Sequence, residues 1–152
     1  MSIFPTKILL ATDGSDEATL ATQTAVDVAD RTNSELHVVC VGELDYGYPS
    51  YAVPDFEYMQ QLQENLEQEA RKALDAEVEQ VKAAGGRVVE AHLSMGSPDA
   101  EIVKLADDMG AGLIVMGSRG LGGIRRALIG SVSDSVVRHA HCPVLVVRKE
   151  DQ

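Results

Sequence analysis

Lys7-Ile8-Leu9-Leu10-Ala11-Thr12, closed by Asp13-Gly14-Ser15, is the stretch that decides the fold. The run is almost continuously apolar, with no polar residue at every second position. A strand covered on both faces reads this way. Asp13-Gly14-Ser15 stops it and supplies a helix cap. A helix is expected from about Asp16 to Arg31. Ala18, Ala21, Ala25, Val28 and Ala29 form its buried stripe, and Asp16 and Glu17 stand beside its positive end.

The same alternation continues down the chain. Leu36 to Val41 reads as a second strand, followed by a polar-aromatic connection from Gly42 to about Asp55. Met59, Leu62, Leu66, Ala70, Ala73, Leu74, Val78 and Val81 recur at threes and fours, the signature of a long helix, which Gly85-Gly86 ends. Arg87 to Leu93 is the third strand. Ser97-Pro98-Asp99 opens a third helix with proline at its first position, and Ile102, Leu105, Ala106 and Met109 face inward. Leu113 to Met116 is the fourth strand. Ser131-x-x-Asp134 has the form of a capping box for a last helix ending near His139. Pro143 to Val147 is the fifth strand, expected at a sheet edge. Five strands interleaved with four helices predict one α/β domain over residues 1–152, a doubly wound parallel sheet with helices on both faces. Ligands bind such sheets outside the carboxyl ends of the strands, at the point where the winding reverses. Those ends are expected at Asp13, Gly42, Ser94 and Gly117.

Composition narrows the function classes. Thirteen basic against 24 acidic residues give a net charge of −11, so a phosphate backbone is a poor partner and no nucleic acid is expected. The opening Met1 to Lys7 lacks the order of a signal peptide, and no run approaches the roughly 18 apolar residues of a membrane helix. No membrane partner and a cytoplasmic location are expected. The two cysteines, Cys40 and Cys142, adjoin apolar runs and are read as buried, reduced thiols rather than a disulfide framework.

The chemistry concentrates between Gly117 and Ser131, a glycine-rich segment joining a strand to a helix. Glycines let backbone approach a ligand closely. The amides of Ser131, Val132 and Ser133 at the helix start make an anion site, to which the Ser131 and Ser133 hydroxyls could add donors. Arg119, Arg125 and Arg126 cluster here in an otherwise acidic chain. The alternative is a long loop with solvated arginines and an ordinary serine cap. No Gly-Lys-Ser/Thr closes the segment, so it is not a Walker loop, and it follows the wrong strand for a dinucleotide fingerprint.

Gly117-x-x-Gly120, nine further residues and then Gly130-Ser131 resemble the ATP-binding signature of the universal stress protein family. Asp13-Gly14-Ser15 and the closing His141-Cys142-Pro143-Val144-Leu145-Val146-Val147 are similar to that family too, and the likeness spans the whole chain. The resemblance implies a Rossmann-like sheet of order 3-2-1-4-5, similar to the adenine nucleotide alpha hydrolases. It implies a homodimer and the ATP-binding branch of the family; pairing of the apolar edge strand Val144 to Val147 with its two-fold mate would fit that dimer. By position, Ala11, Thr12 and Asp13 would line base and ribose, the Val41 backbone would bond adenine, and Met116 and Gly117 would flank base and ribose. Gly120, Gly130, Ser131 and Val132 would hold phosphates, with Arg119 and Ser133 beside them. AMP or ADP could use the same base and ribose contacts. The Gly122-Gly123 pair suggests a mobile loop that ATP orders for an unknown protein partner to read. The rival of another class is a nucleotide-free dimeric interaction module of the same fold.

Asp13 could accept from ribose or hold magnesium, directly or through water; otherwise it is a turn residue bonding its own backbone. One aspartate without an acidic cluster, and with Lys149 well past the last strand, does not make a phosphoacceptor site. No catalytic set is legible, so ATP hydrolysis is expected to be slow at most. His139 and His141 lie two apart and are read as helix-end residues, not a metal pair. His37 and His92 fall in strands and are read as structural. Tyr46, Tyr48, Tyr51, Phe56 and Tyr58, five of the six aromatics, could cover the base, form a partner surface or pin the connection to the long helix.

Overall fold

Ile8 and Leu10 turn to one side of the first strand, β1 (Lys7–Thr12), and Leu9 and Ala11 to the other, and all four are buried. The run is apolar throughout because two separate cores need it. The protein, seen in a computed structural model, is described at residues 2–13, 16–43, 55–118 and 130–148, apart from the side chains of Asp16 and Glu17.

After β1 come α1 (Asp16–Thr32), β2 (Glu35–Glu43), α2 (Phe56–Ala83), β3 (Val88–Gly96), α3 (Pro98–Met109), β4 (Leu113–Gly117), α4 (Ser131–His139) and β5 (Val144–Val147). The five strands form one parallel sheet in the order β3-β2-β1-β4-β5. Its architecture is the Rossmann-like, doubly wound one expected from the sequence. On one face, α1 and α2 bury Ala21, Ala25, Val26, Ala70, Leu74 and Val81 against Ile8, Leu10, Leu36, Val38 and Val115. On the other, Ile102 and Ala106 of α3 and Val136 of α4 pack on Leu9, Ala11, Val39, Ile114 and Met116.

Several local expectations change. β3 runs on to Gly96 rather than stopping near Leu93, because β2 reaches Glu43 and pairs with it along that whole length. β3 is also not buried on both faces: Val89, Glu90 and Ala91 are exposed, as suits a strand at the edge of the sheet among the described residues. The capping box does not form. Gly130 is the N-cap of α4 and makes no side-chain cap bond, so Ser131 is already the first helical residue. Asp134 instead pairs with Arg138 one turn on, at 3.1 Å. For α2 the cap is Asp55, whose carboxylate accepts from the Tyr58 N–H at 2.7 Å. Phe56 is 80% and Tyr58 56% exposed, so neither ring is buried on the helix; Tyr46, Tyr48 and Tyr51 lie outside the described residues.

The glycine pair after α2 divides its work. Gly85 takes a left-handed φ of +89° with open space around it. At Gly86 a Cβ would come within 2.8 Å of a Val26 methyl and 2.9 Å of a Val81 methyl. Both valines are buried and stiff at χ1, so neither can step aside cheaply. Gly86→Ala is expected to cost about 1–3 kcal/mol, read as a lower urea midpoint with an unchanged slope.

Candidate functional site

The β1–β2 ladder ends at Thr12–Cys40, and the β1–β4 ladder at Ala11–Met116. β2 continues to Glu43 against β3 alone, so Val41 is the first residue of β2 beyond the end of its ladder with β1. Crossovers leave β1 and β4 toward opposite faces, and a crevice opens between them. It is a cleft of about 460 Å³. Ala11, Thr12, Asp13, Val41, Met116, Gly117, Gly130, Ser131, Val132 and Ser133 all line it. The structure thus brings together every candidate site residue among those described; Gly14, Ser15, Arg119 and Gly120 lie outside them.

At one end of the cleft stands the N-terminus of α4. The first amides of a helix have no acceptor within the helix itself and carry partial positive charge. Ser118 and Gly130, the described residues nearest the helix start, are tied to the sheet and to each other. Ser118 N–H donates to Val147 O at 2.8 Å, tying the end of β4 to β5. Gly130 N–H donates in turn to Ser118 O. Ser133, only 2% exposed, directs its hydroxyl to Ser118 O at 3.1 Å and Gly130 O at 3.0 Å. That hydroxyl is therefore a structural tie, and toward a ligand Ser133 offers its backbone N–H. Ser131 is exposed at the mouth. Beside α4, Asp99 of α3 accepts from Ser97 at 2.6 Å and from Ser135 of α4 at 2.7 Å. The two serines, Ser97 first, hold the Asp99 carboxyl below its usual range.

The sequence reading missed Glu77. It sits at a core position of α2, spaced four, three and four along Ala70, Leu74, Glu77 and Val81, and is 1% exposed. A carboxylate in an apolar stripe was the available signal. Its oxygens meet Thr12 Oγ1, which donates at 3.2 Å, and Thr22 Oγ1. Glu77 therefore anchors Thr12 from beneath the cleft floor. Thr22 has one hydroxyl proton but also faces Ala18 O at 2.8 Å, so a proton on Glu77 relieves the contest. Burial pushes the Glu77 carboxyl up; bonds from Thr22 and Thr12 oppose this, and the Asp13 charge adds to it. Cys40, in the cleft wall, is pushed up to about 11, first by burial and then by Asp13 and Glu77, so its thiol is neutral and unreactive at pH 7. Cys142 is a free thiol as well, but half-buried rather than buried.

The profile of the Universal stress protein family matches residues 5–148. The chain belongs to that family. A universal stress protein of Staphylococcus haemolyticus is 41% identical over 145 residues, 95% of this chain and 85% of that one. Universal stress protein UspA from Lactobacillus plantarum superposes with a TM-score of 0.80 at 30% identity, over 97% of this chain and all of the other. A universal stress protein solved in complex with cAMP superposes with a TM-score of 0.70 at 27% identity, over 96% of this chain and 99% of that one. The described fold is thus that of universal stress proteins throughout.

Since Glu77 holds its proton more tightly in the folded protein than in the unfolded chain, the stability this adds is complete below the ordinary value of 4.5. It is lost as pH rises through the higher folded value. Urea melts taken from pH 4.5 to neutrality should show the native protein losing stability relative to Glu77→Gln, which has no proton to release.

Proposed function

We propose that this universal stress protein binds ATP in the cleft between β1 and β4 and acts as a homodimeric, nucleotide-dependent stress-response module. The observation that carries the proposal is the convergence of ten candidate residues, from four separate parts of the chain, on one cleft with helix amides at its end. The relative solved with cAMP supports an adenine nucleotide as the ligand class. In this reading Ala11, Thr12 and Asp13 line base and ribose, Val41 offers adenine its backbone, and Met116 and Gly117 flank the base and ribose. Gly130, Ser131 and Val132 hold phosphates, helped by Arg119, Gly120 and the Ser133 amide. AMP and ADP share the base and ribose contacts and differ from ATP in what reaches α4.

Charge shapes the details. The described walls of the cleft carry Asp13, Glu43 and Glu69 and no basic side chain. A triphosphate entering them needs a counter-charge. Magnesium suits this site, because it binds through one or two carboxylates and phosphate oxygens and keeps much of its water. Asp13 is the carboxylate nearest that task, directly or through water. The same acidic walls favour a second reading, in which the protein is a nucleotide-free interaction module. Calorimetry of the stripped protein with ATP, with and without magnesium, separates the two. Micromolar binding near one ATP per chain is expected, tighter with magnesium, and no heat at several temperatures would favour the second reading. Gly130→Glu should abolish the ATP heat by placing a side chain and a negative charge at the helix start, while the protein remains folded and melts cooperatively in urea. Asp13→Asn should remove the magnesium-dependent part of ATP affinity.

For assembly, the dimer would form at β5, which has β4 on one side and no further strand on the other among the described residues. An unpaired apolar edge is a template for pairing, and a two-fold mate would cover it. Leu145 on this strand is 36% exposed. Leu145→Glu should shift the protein from dimer to monomer in sedimentation, since the two-fold would bring like charges together.

A further inference from the structure

At the far side of the sheet, β2 and β3 carry the same short pattern, Glu35-Leu36-His37 and Glu90-Ala91-His92. Residues two apart on a strand share a face. Whether the two pairs share one face depends on register. Leu36 pairs with Val88, which would set His37 opposite Val89 and turn Glu90 and His92 away. The register shifts between Leu36 and His37, so His37 meets Glu90 and Val39 meets His92. The irregularity turns both pairs to the α3/α4 face. A shift of register re-aims side chains in the way a β-bulge does.

The result is a group of three metal-ligating side chains, His37, Glu90 and His92, whose ligand atoms lie within 4.8 Å of one another. His37 Nδ1 and His92 Nε2 are 3.3 Å apart, and His92 Nε2 is 3.9 Å from Glu90 Oε2. Two ligands held tetrahedrally at zinc-to-nitrogen distance stand about 3.3–3.4 Å apart. His37 is 5% exposed, and its Nε2 is buried without a hydrogen-bond partner. A hydrogen bond between the two imidazoles alone leaves that nitrogen orphaned in either tautomer. A metal on Nδ1 fixes the proton on Nε2, and Glu35 Oε2, 3.8 Å from Nε2, is the carboxylate placed to accept it after a small movement. Lys7 pairs in register with Glu35 and is the opposing charge at this end of the sheet.

We propose that His37, His92 and Glu90 bind a divalent transition metal of the zinc class, with Glu35 orienting His37 and water completing the coordination. Two imidazoles and one carboxylate suit zinc and its neighbours rather than magnesium or calcium. Three protein ligands leave one position open. Glu90 is exposed at the sheet edge, so the ion has a way in.

The test is calorimetry of chelator-stripped protein with zinc ion. The expected result is one zinc per chain, with zinc moving the imidazole resonances of His37 and His92 in the nitrogen-correlated NMR spectrum. His92→Gln should weaken binding by at least about a hundredfold and Glu35→Gln by about tenfold. Glu90→Gln, an exposed change that leaves the core intact, should weaken it too. Gly130→Glu should bind zinc as the native protein does, which separates this site from the nucleotide cleft. His139→Gln/His141→Gln should also retain full affinity. The proposal is overturned if no zinc binds, or if affinity is lost in His139→Gln/His141→Gln and kept in His92→Gln.

Discussion

The pairing of β1 with β4 at the centre of the sheet is the constraint on which the rest depends. One of these strands is followed by a helix on the α1/α2 face and the other by a helix on the α3/α4 face. Both are buried on both faces, so neither can carry polar residues until the chain leaves the sheet. Their ladder stops at Ala11–Met116. Immediately beyond it the sequence turns polar or small, at Thr12, Asp13 and Gly117. The cleft is the space that the reversal of winding leaves uncovered, and its floor and walls follow from where each ladder runs out.

A cleft of that origin needs polar groups close to the core, and the structure shows how they are kept. Thr12 is bonded by Glu77, which is itself enclosed by Thr22 and the apolar residues of α2. On the opposite wall, Ser118 ties β4 to β5 and receives bonds from Gly130 and Ser133. The start of α4 is therefore fixed against the sheet, and these ties aim its amides. A preorganised amide cluster binds an anion at lower entropic cost than one ordered on binding. It faces carboxylates across the cleft, which is why counter-charge enters the functional reading.

The fold was legible because its signals are local. A helix stripe at threes and fours and a strand apolar at every position survive tertiary context, and the glycine-proline punctuation between them is strong. The cleft residues were legible because a strand end is found as soon as its strand is. What escaped depends on contacts between distant segments. The N-cap moved from Ser131 to Gly130 because Ser118, thirteen residues upstream by number, draws Gly130 and Ser133 onto itself. Glu77 was passed over because a charged residue scores against a buried stripe, while its partners Thr12 and Thr22 lie 65 and 55 residues away in sequence. The extra length of β3 follows from its partner β2, and the register shift that joins His37 to Glu90 leaves no mark in either segment alone.

β2 joins the two proposed sites without merging them. Val41 stands at its cleft end and His37 four residues earlier, about 13 Å along the strand. Val38, Val39 and Cys40 between them are buried and packed in both cores. Interiors this dense do not slide by fractions of a residue, and a register slip of one would turn every side chain to the wrong face. The strand therefore acts as a fixed ruler. Sites separated by more than about 7–10 Å and sharing no partners contribute free energies that add. The residues at the two ends of β2 meet that condition, since Val41 lines the cleft and pairs with Ser94, while His37 pairs with Glu90. A metal at one end and a nucleotide at the other would each stabilise the same sheet, and each would do so whether or not the other was bound.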